Sequence, residues 1–448
     1  MTKKRVLIVG GNAAGLSAAS QVKRQKAEWE AVVFEKGEYI SYAGCGMPYH
    51  IEGIVPHLED LIEITPEAAV TERKIDLRLN CTVIRVDPDK KEILVKDSAG
   101  TRAEKFDFLL IATGASPITD HITFEKSKRI FTLKSLSDTT KILQFIEEEK
   151  PKKCAVIGGG YIAVEMLEAF QGRGLETHLI HRRYDLARTF EKEISTLIKN
   201  KMEQEGIILH LNSQVTALEE KKKKIIVRTN HEDMEYDFVL IATGVKPETE
   251  LLKDTPIQLG VKNAVKVNRY LQTNYDYIYA AGDCAETVNL ITGKPAYVPL
   301  APKANKEGFI AGINICGGKE EFPGVLETSI TKFFDLGIAR TGLTLDTAEE
   351  HYPGAAKFTF SSRSKARYYP GGGTLHSVII LDKASGKILG AQLAGPLDGV
   401  KRIDVFAAAI HNKMSVNDIF KLDLSYSPPF SPVFDPVILA ARLGRKYL

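Results

Sequence analysis

One stretch of grammar occurs twice in this chain, and nothing else in the sequence restricts its fold as strongly. Residues 5 to 11, "RVLIVGG", form an apolar run ending in glycine, and "AAGLSAASQVKRQ" follows with helical spacing and a small first turn. The pattern predicts a buried parallel strand, a glycine turn and a helix. It returns at residues 154 to 165, "CAVIGGGYIAVE", followed by the helix-like "MLEAFQGRG" and the strand "ETHLIH". Each copy closes on a similar phrase, "FLLIATGASP" at 108 to 117 and "VLIATGVKPE" at 239 to 248. A lone glycine motif fits a tight strand-to-helix turn as well as it fits nucleotide binding. Two copies with matching closures predict an α/β chain with two nucleotide sites.

The copies differ in detail. The first runs Gly10, Gly11, Asn12, Ala13, Ala14, Gly15, with Asn12 in place of the middle glycine; the second runs Gly158, Gly160, Tyr161, Ile162 and Ala163, the permitted alanine variant. The strand "AVVFEK" ends at Glu35 and Lys36, and Glu35 stands 20 residues after Gly15, the distance that suits a ribose hydroxyl pair. At the matching place in the second copy stand His181, Arg182 and Arg183. Basic residues there favour the 2′-phosphate of NADPH over NADH, although a solvated basic turn would read the same way. In the closures, Ala112, Thr113, Gly114 and Gly244 end their strands and are expected to approach the cofactors.

Composition excludes several function classes. A chain of 448 residues with 44% apolar and 26% charged residues is a globular sequence of two or three domains, able to bury cofactors. A net charge of +3 does not point to nucleic acid or to a membrane surface. No apolar run reaches the roughly 20 residues of a membrane span, and the start leads straight into a strand pattern, so a cytoplasmic protein is expected. Cys45, Cys81, Cys154, Cys284 and Cys316 are widely spaced and contain no C-x-x-C pair, which fits neither a disulfide framework nor a zinc site. Four of them are expected to be reduced core residues. The lysine run at residues 221–224 is expected to be a solvated hairpin.

"YDYIYAAGDCAET", residues 275 to 287, reads as a strand ending in Gly282 and Asp283. With "GGGYIAVE" and the two "ATG" closures, it resembles the second flavin motif of the pyridine nucleotide-disulfide oxidoreductases, whose Asp bonds the FAD ribityl chain. The resemblance spans nearly the whole chain. It implies two Rossmann-like dinucleotide-binding domains, for FAD and NAD(P)H, and a C-terminal α+β dimerisation domain, hence a homodimer. The implied divisions are 1–115 and 247–324 for FAD, 116–246 for NAD(P)H and 325–448 for dimerisation. Pro299, Leu300 and Ala301 resemble the helix start that meets the isoalloxazine ring. Tyr161 is implied as a gate over the nicotinamide pocket, and Glu165 as a neighbour of the flavin N5, paired with a lysine.

Most members of that superfamily carry C-x-x-x-x-C beside the flavin. Here "SYAGCGMPYH" offers only Cys45, with His50 in the second position, so the chain resembles the single-cysteine branch of coenzyme A disulfide reductases, persulfide or polysulfide reductases, NADH oxidases and peroxidases. One thiolate suffices if a substrate thiol supplies the missing sulfur in a mixed disulfide. Lowering the Cys45 pKa calls for a helix N-terminus or a nearby positive charge. Ala13 occupies the position where oxidases and peroxidases carry a histidine, which argues against peroxide chemistry. Tyr426 and one of Tyr368 or Tyr369 resemble tyrosines that reach the neighbouring subunit's site and are candidate acids for the departing thiolate; interface anchoring is the other reading. Ser17, Gln21, Arg24, Ser41 and Arg73 or Lys74 align with coenzyme A contacts, with Lys23 and Lys26 adding charge, whereas Gly44 replaces the usual asparagine before the cysteine. The implied activity is NAD(P)H-dependent reduction of coenzyme A disulfide, persulfide or polysulfide, with coenzyme A as substrate or adduct. An oxygen-consuming NAD(P)H oxidase is the alternative within the enzymes, and a flavin-based redox sensor the alternative outside them.

Overall fold

In a computed structural model of the chain, residues 3–187 and 189–448 are described. The opening run becomes β1 (Arg5–Val9), buried on both faces, and the chain turns at Gly10 into α1 (Ala13–Gln25), then β2 (Glu30–Phe34). A short helix α2 (Met47–Glu52) precedes β3 (Asp76–Arg78) and β4 (Phe108–Ile111). The second copy follows as β5 (Ile130–Phe131), β6 (Lys153–Ile157), α3 (Tyr161–Gly172), β7 (Glu176–Ile180), α4 (Lys192–Gln204), β8 (Ile208–His210) and β9 (Phe238–Ile241). The chain then returns to the first sheet with β10 (Ile278–Ala280) and α5 (Ala301–Ile315).

Two parallel sheets result, in the orders β10-β4-β1-β2-β3 and β5-β9-β6-β7-β8. In both, the glycine-turn strand is central and the crossover helix connects it to the neighbouring parallel strand. Gly10 (φ +109°) has no room for a side chain, since a Cβ would stand 2.2 Å from the Ala112 carbonyl oxygen; Gly158 (φ +134°) meets the Ala242 carbonyl oxygen at the same distance. The small residues of α1 let α5 approach it: a Cβ on Gly308 would lie 2.2 Å from the Ala14 carbonyl oxygen. That contact ties the returning segment to the first glycine turn.

The two closures pair with each other. Residues 115–117 run antiparallel to 245–247. Thr113 donates from Oγ1 to the Glu248 carbonyl at 2.5 Å, and Thr243 donates to the Ile118 carbonyl at 2.6 Å. The reciprocal stitching explains why the phrase repeats: each copy presents the same strand end to the other. The run at residues 221–224 is the expected hairpin, with Lys222 and Lys223 at positive φ between antiparallel strands.

The C-terminal part forms an antiparallel sheet from β11 (Ser329–Phe333), β12 (Leu336–Gly342), β13 (Ala355–Arg363), β14 (Thr374–Asp382) and β15 (Ile388–Gly395), ordered β11-β12-β15-β14-β13. One face packs on α6 (Ile403–His411) and α7 (Pro436–Gly444). On the other, Phe333, Ile338, Val378 and Ile380 share a core with Val164, Leu167 and Ile198 of the second unit. Strand alternation supplies both faces, so the sheet is buried on each side. No described helix is long and apolar enough to cross a membrane.

Candidate active site

Cys45 lies in a single 3-10 turn, Gly44–Gly46, leading directly into α2. Its side chain is exposed, and the five cysteines are all free. Cys81, Cys154 and Cys284 are buried as expected, but Cys316, at the end of α5, is only half-buried. A Cβ on Gly46 would meet Leu61 Cδ2 at 2.4 Å, which accounts for the glycine after the cysteine. His50, in place of a second cysteine, is buried with Nδ1 2.7 Å from the Val55 carbonyl oxygen and closes the helix end.

The expected lowering of the Cys45 pKa is not what its protein surroundings produce. Partial burial, then Glu165 and Asp283, push the thiol up; Lys134 alone pulls it down. Lys134 Nζ stands 3.3 Å from Asp283 Oδ2, so one cation faces both the flavin-motif acid and the sulfur. Sequence reasoning missed Lys134, which follows β5 in the second unit and belongs to no motif. Among the described residues no lysine is bonded to Glu165, although Lys332 lies near it. Glu165 is bonded by Thr331, whose Oγ1 donates to Oε1 at 2.7 Å, while Lys332 pairs with Glu168.

The first glycine turn fits a dinucleotide. Leu16 makes the first intrahelical bond of α1, to the Asn12 carbonyl, so the amides of Ala13, Ala14 and Gly15 point out of the helix start, where no acid stands. Glu35 accepts from the Gly11 amide at 2.9 Å and from the Gly37 amide at 2.8 Å, which fixes both carboxylate oxygens and leaves each a lone pair for a ribose hydroxyl. Lys36 is exposed beside it. At the far side, a buried ion pair holds the flavin motif: Glu307 accepts from the Gly282 amide at 2.9 Å, and Lys303 donates to the Gly282 carbonyl at 2.8 Å. Lys303 and Glu307 are 2.9 Å apart and essentially without solvent. Burial pushes Glu307 up to about 7 against the pull of Lys303. The spacing of four residues on the helix after Pro299 and Leu300 was a readable signal for this pair.

In the second turn Tyr161 opens α3 directly after Gly160, with Ile162 following. Tyr161 Oη lies 2.6 Å from Ser329 Oγ, and the ring packs edge-on against Phe190. The His181 ring sits against Gly159, where a Cβ would come within 2.9 Å, and its buried Nε2 has no partner among the described residues. Arg182 and Arg183 are exposed next to it. Among the described residues this end of the second unit therefore presents an imidazole nitrogen and two exposed guanidinium groups, where the first unit presents a carboxylate.

Ser17, Arg24, Ser41 and Arg73 converge on one groove of about 180 Å³, joined by Ser20, Asn305 and Phe309, which the sequence did not reveal. Arg73 is oriented by a 2.7 Å bond to Ser20 Oγ. Gln21 and Lys74 do not line it. Gln21 is buried against α5, packed where a Cβ on Gly312 would stand, and Lys74 is exposed on a left-handed turn. Lys23 is also turned away, donating to the carbonyls of Ala27 and Trp29 at the end of α1, and Lys26 lies over the Trp29 ring. Tyr368, Tyr369 and Tyr426 are exposed in the single chain; Tyr426 neighbours Tyr368, and no described contact joins them to Cys45.

Residues 4–308 match the family described as pyridine nucleotide-disulphide oxidoreductase, and residues 328–437 match its dimerisation domain. The chain is 41% identical over 445 residues, 99% of each chain, to the NAD(P)H sulfur oxidoreductase (CoA-dependent) of Pyrococcus furiosus. It is 35% identical, over 99% of each chain, to an NADH oxidase of Methanocaldococcus jannaschii. Among solved structures, reduced CoADR-RHD of Bacillus anthracis superposes with a TM-score of 0.95 at 34% identity, covering all of this chain and 81% of that one.

Proposed function

The chain belongs to the pyridine nucleotide-disulphide oxidoreductase family, and from that membership we propose that it reduces coenzyme A disulfide, or the related persulfide and polysulfide, with NAD(P)H. The observation that carries the reading is one exposed free thiol, Cys45, beside the Lys134–Asp283 pair, in a chain with no second cysteine next to it. Such a thiol makes its disulfide with a small molecule. The family uses FAD and a pyridine nucleotide, and the chain carries its dimerisation domain, so we take the working form to be a homodimer.

Bound FAD would carry two electrons from the nicotinamide to the sulfur. The residues that would hold it are Gly10, Gly11 and the amides of Ala13 to Gly15 at the diphosphate, Glu35 at a ribose, Asp283 at the ribityl chain, and the helix start at Pro299 to Ala301. Ala112, Thr113, Gly114 and Gly244 shape the walls around the two nucleotides. His181, Arg182 and Arg183 favour NADPH. In the groove, Arg24 and Arg73 would meet the phosphates of coenzyme A, with Ser17 and Ser41 as hydrogen-bond partners.

The Cys45 thiolate attacks one sulfur of the substrate disulfide; its S–S bond breaks, one coenzyme A thiolate leaves, and the other half stays on Cys45. Two electrons then break the mixed disulfide, returning the Cys45 thiolate and a second coenzyme A thiolate. Each departing thiolate takes one proton. Lys134 favours the thiolate on Cys45, against Glu165. Tyr426 and Tyr368 or Tyr369 of the second subunit are the acids this reading assigns.

Rapid-mixing kinetics test it. Protein reduced with NADPH should be reoxidised by coenzyme A disulfide far faster than by oxygen, and Cys45→Ser should abolish the first reaction only. Fast reoxidation by oxygen that survives Cys45→Ser would replace this reading with the oxidase. Mass spectrometry of the purified protein should find coenzyme A on Cys45.

A further inference from the structure

The second unit does not hold its own functional side chains unaided. Tyr161 and Glu165 are four residues apart on α3 and face the same way, about 6 Å from each other along the axis. Ser329 and Thr331 are two residues apart on β11 and also share a face, about 6.6 Å apart. The periods match, and two bonds form across the gap: Tyr161 Oη to Ser329 Oγ at 2.6 Å, and Thr331 Oγ1 to Glu165 Oε1 at 2.7 Å. One turn further along α3, Glu168 accepts from the Phe334 amide at 2.9 Å and pairs with Lys332. A continuous polar seam thus joins α3 to the edge strand of the C-terminal sheet.

Resting on the functional reading above, we propose that Ser329 and Thr331 are positioning residues for electron delivery. Ser329 tethers Tyr161 in its resting place at the start of α3, and Thr331 holds the Glu165 carboxylate through a direct hydrogen bond. Neither hydroxyl touches the reacting atoms. Ser329 acts on nucleotide binding, because Tyr161 must give up that bond whenever a nicotinamide displaces it. Thr331 acts on Cys45, because Glu165 is the charged group that most opposes its ionisation. Glu165 faces Glu168 from its own helix, Lys332 from β11, and Tyr49 and Cys45 from the redox turn. Burial raises its pKa, and the Thr331 hydroxyl is the strongest influence in the other direction.

The flavin-loaded protein tests both halves. Ser329→Ala should lower the KM for NADPH about two- to tenfold, the worth of one ordinary hydrogen bond, with kcat unchanged. Ser329→Thr, which keeps the hydroxyl, should restore the original KM. Thr331→Val should raise the rate of Cys45 alkylation by iodoacetamide about two- to tenfold below the midpoint of its pH profile and move that midpoint down. Thr331→Ser should restore the profile. Alkylation needs no turnover, so it stands apart from activity. An unmoved KM in Ser329→Ala together with an unmoved alkylation profile in Thr331→Val, in protein that turns over normally, would overturn this inference and leave the functional reading intact. A parent protein that oxidises no NADPH with any acceptor would overturn both the functional reading and the Ser329 tether.

Discussion

The two glycine turns share a backbone and differ in the side chain each one faces. Added Cβ atoms on Gly10 and Gly158 would meet equivalent carbonyls at 2.2 Å. An added Cβ on Gly11 would crowd Glu35, and one on Gly159 would crowd His181. The same stage therefore presents a carboxylate in one unit, with both oxygens fixed by backbone amides, and an imidazole beside two arginines in the other. Backbone geometry decides where a diphosphate can sit, and the residue that ends the next strand decides which ribose can accompany it.

The backbone half of that comparison breaks most severely. Gly10→Ala and Gly158→Ala each force a Cβ into a backbone carbonyl at a left-handed position, and each should cost at least about 4 kcal/mol. Urea titrations should return similar losses for the two. Their consequences should part at the cofactors: Gly10→Ala loses the yellow flavin on purification, whereas any folded Gly158→Ala keeps it and is not bleached by NADPH. A Gly10→Ala protein that stays yellow would show that the first turn does not hold the flavin.

The first unit is closed by a fully buried ion pair, Lys303 with Glu307, which grips both backbone groups of Gly282. Removing one partner leaves a buried charge, so Lys303→Met should cost about 3–5 kcal/mol. Lys303→Met with Glu307→Leu should recover most of that loss in the same denaturant titration, because an apolar pair carries no desolvation penalty. If the double variant is no more stable than the single, the pair is not acting as a unit.

Much of this was legible in the sequence because it rests on local rules. The strands, glycine turns and closures at residues 5–15 and 154–165 follow from apolar runs and backbone space, and the structure has them within a residue or two. The lone thiol was legible for the same reason, as a cysteine with no second cysteine near it in the sequence; its exposure was not. What failed depended on contacts across long separations. Thr331 replaces the lysine expected beside Glu165, and no local pattern links residues 166 apart. Gln21 and Lys23 lie on the same helix as Ser17 and Arg24, but whether a side chain faces the groove or α5 is decided by the packing of Gly308 and Gly312, not by α1 itself. The Cys45 pKa went astray because burial, and after it Glu165 and Asp283, both distant in sequence, outweigh Lys134.

Nucleotide choice should sharpen the comparison with a smaller effect. Replacing His181 by Glu, as in the first unit, together with Arg182→Ala and Arg183→Ala, should shift the ratio of kcat/KM for NADPH over NADH about 10- to 100-fold toward NADH. Charge-assisted bonds to a phosphate are worth that much. An unchanged ratio would mean that the basic turn only faces solvent.

The least costly test compares how the units respond to acid. Strand pairing makes Val32 in the first unit the counterpart of His178 in the second, three residues before Glu35 and His181 respectively. His178 is buried, stacked on His210 with nitrogens 2.9 Å apart, bonded to Glu176 at 2.9 Å, and faced by Tyr236 and Lys153. Burial holds its pKa and that of His210 below the ordinary 6.5. The unfolded chain therefore takes up these protons first, and stability present above pH 6.5 is lost as the pH falls below it. Glu307 in the first unit works in the opposite sense. Its folded pKa of about 7 lies above the ordinary 4.5, so stability is gained as the pH falls between those values. Each group contributes a slope of up to about 1.4 kcal/mol per pH unit, and the two partly cancel. His178→Val should flatten the acid-side loss and Glu307→Gln the opposing gain, both read from urea midpoints taken through this range. If His178→Val leaves the slope unchanged, the acid sensitivity does not lie in the second unit's sheet.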